Sequence, residues 1–197
     1  SAEGGVFNIM NLADESVFAP IDHHSAAACA QMGMVVRAEK HIKSHIAVGK
    51  CSEKAAEAAE STENGEYKQN LIILSETLNR VPEKAPSSFY EAVLTIYICF
   101  AADPDSLGTL DRYLQPFYDN DLKNGTLTRE EAKEYLQELF LMLHAATPIT
   151  SAWFTRGGES HFCIGGYLPD GSDGFTALSG LILESLLELP TWIPQVT

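Results

Sequence analysis

The run from Ala92 to Ala102, broken only by Thr95, is apolar on nearly every side of a helix. Ser88 and Glu91 stand just ahead of it at capping-box spacing, so a helix is expected to start there and continue into Ala92–Phe100. A helix without a polar face is stable in water only when other elements cover most of its surface. The run is far too short to cross a bilayer, which takes roughly 20 apolar residues. The rest of the chain must therefore build a packed shell around it.

That shell is predicted to be helical. Asp22 is a plausible N-cap for a helical stretch reaching about Val48, and Lys54–Glu60 continues it or forms a neighbour that ends near Asn64-Gly65. Tyr67–Arg80 places Leu71, Leu74 and Leu78 on one face, with Pro82 just beyond. Asp103–Gly108 reads as a loop, because its Pro and Gly forbid helix continuation. Thr109–Leu122 is helical with a kink or restart expected at Pro116, and Asn124-Gly125 ends it. Thr128 and Glu131 form a second capping box. Ala132, Tyr135, Leu136, Leu139 and Leu143 then follow the amphipathic helical spacing. Beyond Thr147 the glycine pairs and β-branched residues predict a loop, a short strand over His161–Ile164 and a turn at Pro169-Asp170-Gly171. A last helix over Phe175–Glu188 stops before Pro190, and Trp192–Thr197 reads as the start of a strand. The fold class is mainly α with one or two short β strands, α+β when taken by itself. At 197 residues one domain is expected, with 1–21 an irregular lead-in and 22–197 a single helical domain.

Charge narrows the partners. Lys and Arg number 13 against 27 Asp and Glu, a net charge of −14. A duplex nucleic-acid binder needs a cationic face, and an anionic lipid surface repels an acidic chain, so both classes are excluded. Residues 37–54 hold five basic and two acidic residues, which fits a subunit or domain contact. The first residues lack the basic and apolar regions of a signal peptide. Cys29, Cys51, Cys99 and Cys163 stand far apart with no CxxC pair, as reduced thiols of a cytoplasmic protein would.

Few side chains suggest chemistry by themselves. His41 and His45 have metal-compatible i, i+4 spacing, but Arg37, Lys40 and Lys43 crowd them and no carboxylate completes the set, so no metal site is assigned. His23 and His24 are adjacent and point to different helix faces. Cys99 reads as a small core residue. Cys163 and His161 share one face of the predicted strand, a nucleophile-and-base alternative that sequence adjacency supports only weakly.

Five segments in order carry a resemblance: Val81–Ala92, Ser106–Tyr118, Asp121–Gly125 with Thr128–Ala132, Ile164-Gly165-Gly166 with Asp170-Gly171 and Asp173, and Pro194–Thr197. Together they resemble the pyruvate formate-lyase domain of glycyl radical enzymes, with residues 22–80 similar to its helical lead-in. The resemblance implies part of a ten-stranded α/β barrel. It also implies anaerobic chemistry in which a glycyl radical draws hydrogen from a cysteine whose thiyl radical attacks the substrate. Burial in a barrel suits that chemistry, since such radicals persist only away from water and oxygen.

Neither radical centre matches here. No Arg-Val-x-Gly-Tyr motif occurs, and Cys163 falls on the strand of the Ile164-Gly165-Gly166 motif rather than on the family's cysteine loop. No catalytic residue or bound cofactor is therefore expected in this segment. With no initial Met and an unfinished final strand, the chain is expected to be a piece of a longer lyase or transferase, inactive alone. In that parent the resemblance implies radical C–C, C–O or C–N cleavage of a small polar metabolite, a glycyl radical, a radical-SAM activating enzyme and room for a homodimer. The implied substrate-wall positions are Asp105, Ser106, Glu159 and His161, although Asp105-Ser106 reads equally well as a cap on the following helix. Thr109 stands where relatives usually carry Arg. The alternative function is a stand-alone helical binding or assembly module without catalysis.

Overall fold

The computed structural model describes residues 47–102, 106–146, 161–191 and 194–197. The chain divides into two compact units, Ser1–Ala85 and Pro86–Thr197. Among the described residues it is mostly helical, with a short two-stranded sheet. No described helix is long and apolar enough to cross a membrane.

In the first unit, α1 covers residues 47–61 and α2 spans Gly65–Leu78. Asn64 does not merely end one helix. Its side chain accepts from the Tyr67 N–H at 3.2 Å and caps the next, so α2 begins two residues earlier than the hydrophobic spacing predicts. Ala55, Ala59, Leu71, Leu74 and Leu78 are buried. Ser52 and Ser75 bond reciprocally, each hydroxyl donating to the other's carbonyl at 2.9 and 3.0 Å. Two polar side chains can sit in this core because each satisfies the other.

The second unit holds α3 (Phe89–Ala102), α4 (Leu110–Asn124), α5 (Arg129–Ala146), β1 (His161–Phe162), α6 (Ala177–Leu187) and β2 (Gln195–Val196). Here α5 packs against both α3 and α6, and α4 touches the same two helices. The apolar α3 is buried along most of its length, but Cys99 is exposed and not a core residue as the sequence suggested. The Thr128–Glu131 box forms in full: the carboxylate accepts from Thr128 N–H at 2.7 Å, and Thr128 Oγ1 accepts from Glu131 N–H at 3.2 Å. At α3 the box is displaced, because Glu91 reaches back to Ser87 N–H at 2.6 Å while Ser88 accepts from Glu91 N–H. No restart occurs at Pro116, which a single helix α4 spans.

Asp121, near the end of α4, is buried and accepts from the Phe89 N–H at 2.7 Å. It thus caps the start of α3 from 32 residues away. Asp121→Ala is expected to destabilise the protein by about 1–2 kcal/mol, the worth of a lost cap, while Asp121→Asn, which keeps an acceptor oxygen, loses less. Urea unfolding of the three proteins measures this, and an Asp121→Ala protein as stable as wild type would show that the cap contributes nothing.

Arg129 and Lys133 on α5 meet Glu184 and Glu188 on α6, with Lys133 Nζ donating at 3.0 and 2.6 Å. The hydrogen bond from Arg129, then that from Lys133, hold the Glu184 carboxyl down to about 2. A depressed carboxylate adds stability above its ordinary pKa of about 4.3, and that contribution fades as pH falls toward the folded value. The melting-temperature gap between wild type and Glu184→Gln is therefore expected at neutral pH and should close between about pH 5 and pH 2. A gap independent of pH would assign it to packing instead.

Candidate functional site

Parallel strands with helices on one face leave their other face, and their carboxyl ends, available to a ligand. β1 and β2 pair in parallel, His161 beside Gln195 and Phe162 beside Val196. The ladder continues one step further, with Thr197 N–H donating to Phe162 O at 3.0 Å and Ile164 N–H to Thr197 O at 3.2 Å. On the other side of β1, Thr109 bridges Cys163 in parallel, Leu107 N–H donates to His161 O at 2.9 Å, and Cys163 N–H donates to Gly108 O at 2.8 Å. Residues 107–109 therefore run as a third parallel segment inside what the sequence presents as loop and helix start. Each segment but the last leads into a helix, α4 after the first and α6 after β1.

Alternation along β1 separates two faces. Phe162 is fully buried and stacks on Phe140 of α5, with ring centroids 5.7 Å apart and planes 8° apart. Cys163, Gln195 and Thr197 are exposed on the other side, with His161 half-buried beside them. Cys163 Sγ lies 3.5 Å from Thr197 Oγ1. The face thus offers an imidazole, a thiol, an amide and a hydroxyl, all groups that can bond to a small polar molecule.

Just past the strands, two α4 residues grip the Gly165-Gly166 turn. Asp111 is buried, and its Oδ2 accepts from Gly165 N–H at 2.7 Å and from Ser179 Oγ at 2.6 Å. The Arg112 guanidinium turns instead to the carbonyls of Gly165 and Tyr167, at 3.0 and 2.8 Å. Gly165 and Gly166 have φ of +66° and +76°, a region that residues with a Cβ avoid.

Of the four substrate-wall positions, Asp105 and Glu159 lie outside the described residues, as do His23, His24, His41, His45 and the lead-in 1–21. Ser106 is exposed and its Oγ accepts from Gly108 N–H at 3.1 Å, closing its own turn. It does not cap α4, whose N-cap is Thr109. His161 and Ser106 stand on neighbouring segments of the same layer. A cavity of about 230 Å3 opens beside Ser106, lined by Thr95, Ile96, Cys99 and Phe100 of α3, by Ser106 and Leu107, and by Tyr113 of α4. Gln195, Thr197, Cys99 and Tyr113 were not legible as site residues, because no short-range pattern marks them.

The sequence profile of the family described as "Pyruvate formate lyase-like" matches residues 35–197. The chain belongs to this family. Trans-4-hydroxy-L-proline dehydratase of Clostridioides difficile is 28% identical over 152 residues, covering 70% of this chain and 19% of that enzyme. Isethionate sulfite-lyase of Bilophila wadsworthia is 32% identical over 158 residues, covering 72% and 19%. The chain thus spans about a fifth of the length of these relatives. The crystal structure of hydroxyproline dehydratase from Clostridioides difficile with trans-4-hydroxy-L-proline bound superposes with a TM-score of 0.68 at 27% identity, covering 78% of this chain and 21% of that one. A glycyl radical enzyme from Archaeoglobus fulgidus gives 0.70 over 96% of this chain and 27% of its own, and at 23% identity it speaks to the fold alone.

Within the pyruvate formate lyase-like family, then, this chain corresponds to a segment of a glycyl radical enzyme barrel. The motif segments that are far apart in sequence meet in space. Asp121 caps the helix of the Val81–Ala92 segment, and Asp111 with Arg112 holds the Gly165-Gly166 segment. Carboxylates in a helix's first or last turns read locally as surface charge. Only their long-range partners reveal their use.

Proposed function

We propose that this chain supplies part of the substrate-chamber wall of a glycyl radical lyase. The whole protein would cleave a C–C or carbon–heteroatom bond of a small polar metabolite, and these 197 residues would be inactive alone. The observation that carries the reading is one face of the paired strands, where His161 and Gln195 open β1 and β2, and Cys163 and Thr197, both exposed, follow at their carboxyl ends. Relatives named as a dehydratase and a sulfite-lyase support the reaction class. On this reading Ser106 and His161 contact substrate, with Asp105 and Glu159 their assigned companions. The partners are the small-molecule substrate, a radical-SAM activating enzyme and a second copy of the enzyme in a homodimer. The glycyl radical belongs to other residues of the parent, which acts in the cytoplasm under anaerobic conditions.

The test is anaerobic activation of the full-length protein, with electron paramagnetic resonance for the glycyl radical. Hydroxylated, sulfonated and carboxylated small molecules are then screened for release of water, sulfite or carbon dioxide. His161→Ala is expected to lower kcat/KM by about 100-fold, the scale of a lost proton-handling or positioning group, with radical yield unchanged. No radical after competent activation, or full activity in the His161→Ala protein, would overturn the proposal and favour a non-catalytic assembly module.

A further inference from the structure

We infer that Asp111, with Ser179 and Arg112, is a positioning residue that sets the register of β1 and so decides that Cys163 and His161 face the exposed side of the strand layer. The inference rests on the proposed function, since that reading makes this face the chamber wall.

Asp111 is 1% exposed, yet no cation among the described residues pairs with its carboxylate. Its oxygens are taken by three donors: Arg112 N–H at 2.8 Å on Oδ1, and Gly165 N–H and Ser179 Oγ–H on Oδ2. Burying a carboxylate is costly, and well-packed apolar groups generally stabilise as much or more. What the charge adds is geometry, because each donor must come to a defined place. Three parts of the fold meet at it: the first turn of α4, the Gly165-Gly166 turn that follows β1 and the first turn of α6.

The spacing ties that meeting to register. Thr109 and Cys163 are bridge partners, and Leu110 N–H donates to Cys163 O at 3.1 Å as the last backbone bond between the two segments. Asp111 stands two residues past Thr109, and Gly165 two past Cys163. The carboxylate-to-Gly165 bond therefore extends the ladder by one rung beyond its backbone end. A slip of one residue along β1 would send Cys163 to the buried side and Phe162 to the exposed one. Arg112 closes the same rung from outside by holding the carbonyls of Gly165 and Tyr167. A slipped β1 would forfeit every one of these bonds at once.

The test uses the full-length protein and peptide-resolved mass spectrometry of iodoacetamide labelling, which needs no turnover. In Asp111→Asn, which presents an N–H2 to donors, the alkylation rate of Cys163 is expected to change about tenfold, as loss of a buried charge-assisted bond implies. Buried Cys51, in the other unit, is expected to hold its rate. Leu74→Ala, which opens the core of that other unit, is expected to leave Cys163 unchanged. Ser179→Ala, which keeps two of the three donors, should move Cys163 in the same direction by less, and it carries the readout if Asp111→Asn does not fold. A Cys163 rate within twofold of wild type in both variants overturns the inference. So does a parallel rise of Cys51 and Cys163, which would mean general loosening. A Cys163 shift with kcat/KM unchanged upholds the positioning role and removes the chamber-wall reading.

Discussion

Phe162→Ala is expected to cost the protein about 3–5 kcal/mol, the range for deleting a fully buried aromatic. Phe162 has no exposed surface and lies on β1, between β2 and the bridged segment 107–109, flat against Phe140 at 5.7 Å. Its own carbonyl accepts from Thr197 N–H, so the backbone cannot collapse into the void without loosening β2. Leu139, Phe140 and Leu143 of α5 are likewise fully buried, and a cavity in that apolar layer would stay dry. Urea unfolding of the full-length protein measures the loss as a lower midpoint at unchanged slope. Phe140→Ala should cost a similar amount, and the double variant less than the sum, because the two rings share one contact. His161→Ala, on the opposite face of the same strand, should leave stability nearly intact. A loss below about 1 kcal/mol for Phe162→Ala would mean that the strand layer is not seated on α5 as described.

Gly174→Ala is the second large effect, with an expected loss of about 2–3 kcal/mol from overpacking. A Cβ on Gly174 would lie 2.9 Å from Gly166 O and 3.2 Å from both Gly165 O and Arg112 Nη2. Two of those atoms are backbone carbonyls of a turn, and they cannot rotate away. The 2.7 Å bond from Gly174 N–H to Gly166 O would have to lengthen, loosening the turn that Arg112 clamps. Gly180 in α6 provides the contrast. Nothing lies within 4 Å of a Cβ placed there, so Gly180→Ala should gain about 0.5–1 kcal/mol from helix propensity. Thermal melts of both variants decide the matter, and a Gly174→Ala protein as stable as wild type would show that the turn yields.

Helices α2 to α6 were legible wherever the signal is local. The Thr128–Glu131 box and the apolar spacing through Leu143 predicted α5, and both act within one or two turns. α6 starts at Ala177, two residues later than its predicted start at Phe175, because its box pairs Thr176 with Ser179 rather than with Glu or Gln. The third strand segment was hidden for a different reason. Ser106-Leu107-Gly108 carries turn residues, and the backbone bonds that hold 107–109 alongside β1 come from His161 and Cys163, more than 50 positions away. The same distance hid Cys99, placed in the core by its apolar neighbours yet set on the side of α3 that opens to the cavity.

For the site, motif order pointed to a glycyl radical enzyme segment and to Ser106 and His161, and the period of two placed His161 and Cys163 on one face. Which face that is came only from packing, where Phe162 sits on Phe140 and leaves its neighbours exposed. The sequence by itself determined the helices, their caps and the family, because those depend on residues a few positions apart or on motif order. The tertiary structure alone decided that Asp111 and Asp121 serve as long-range acceptors and that three short segments align in parallel. A buried carboxylate or an unpaired strand gains its energy from a partner, and chain order does not say who that partner is.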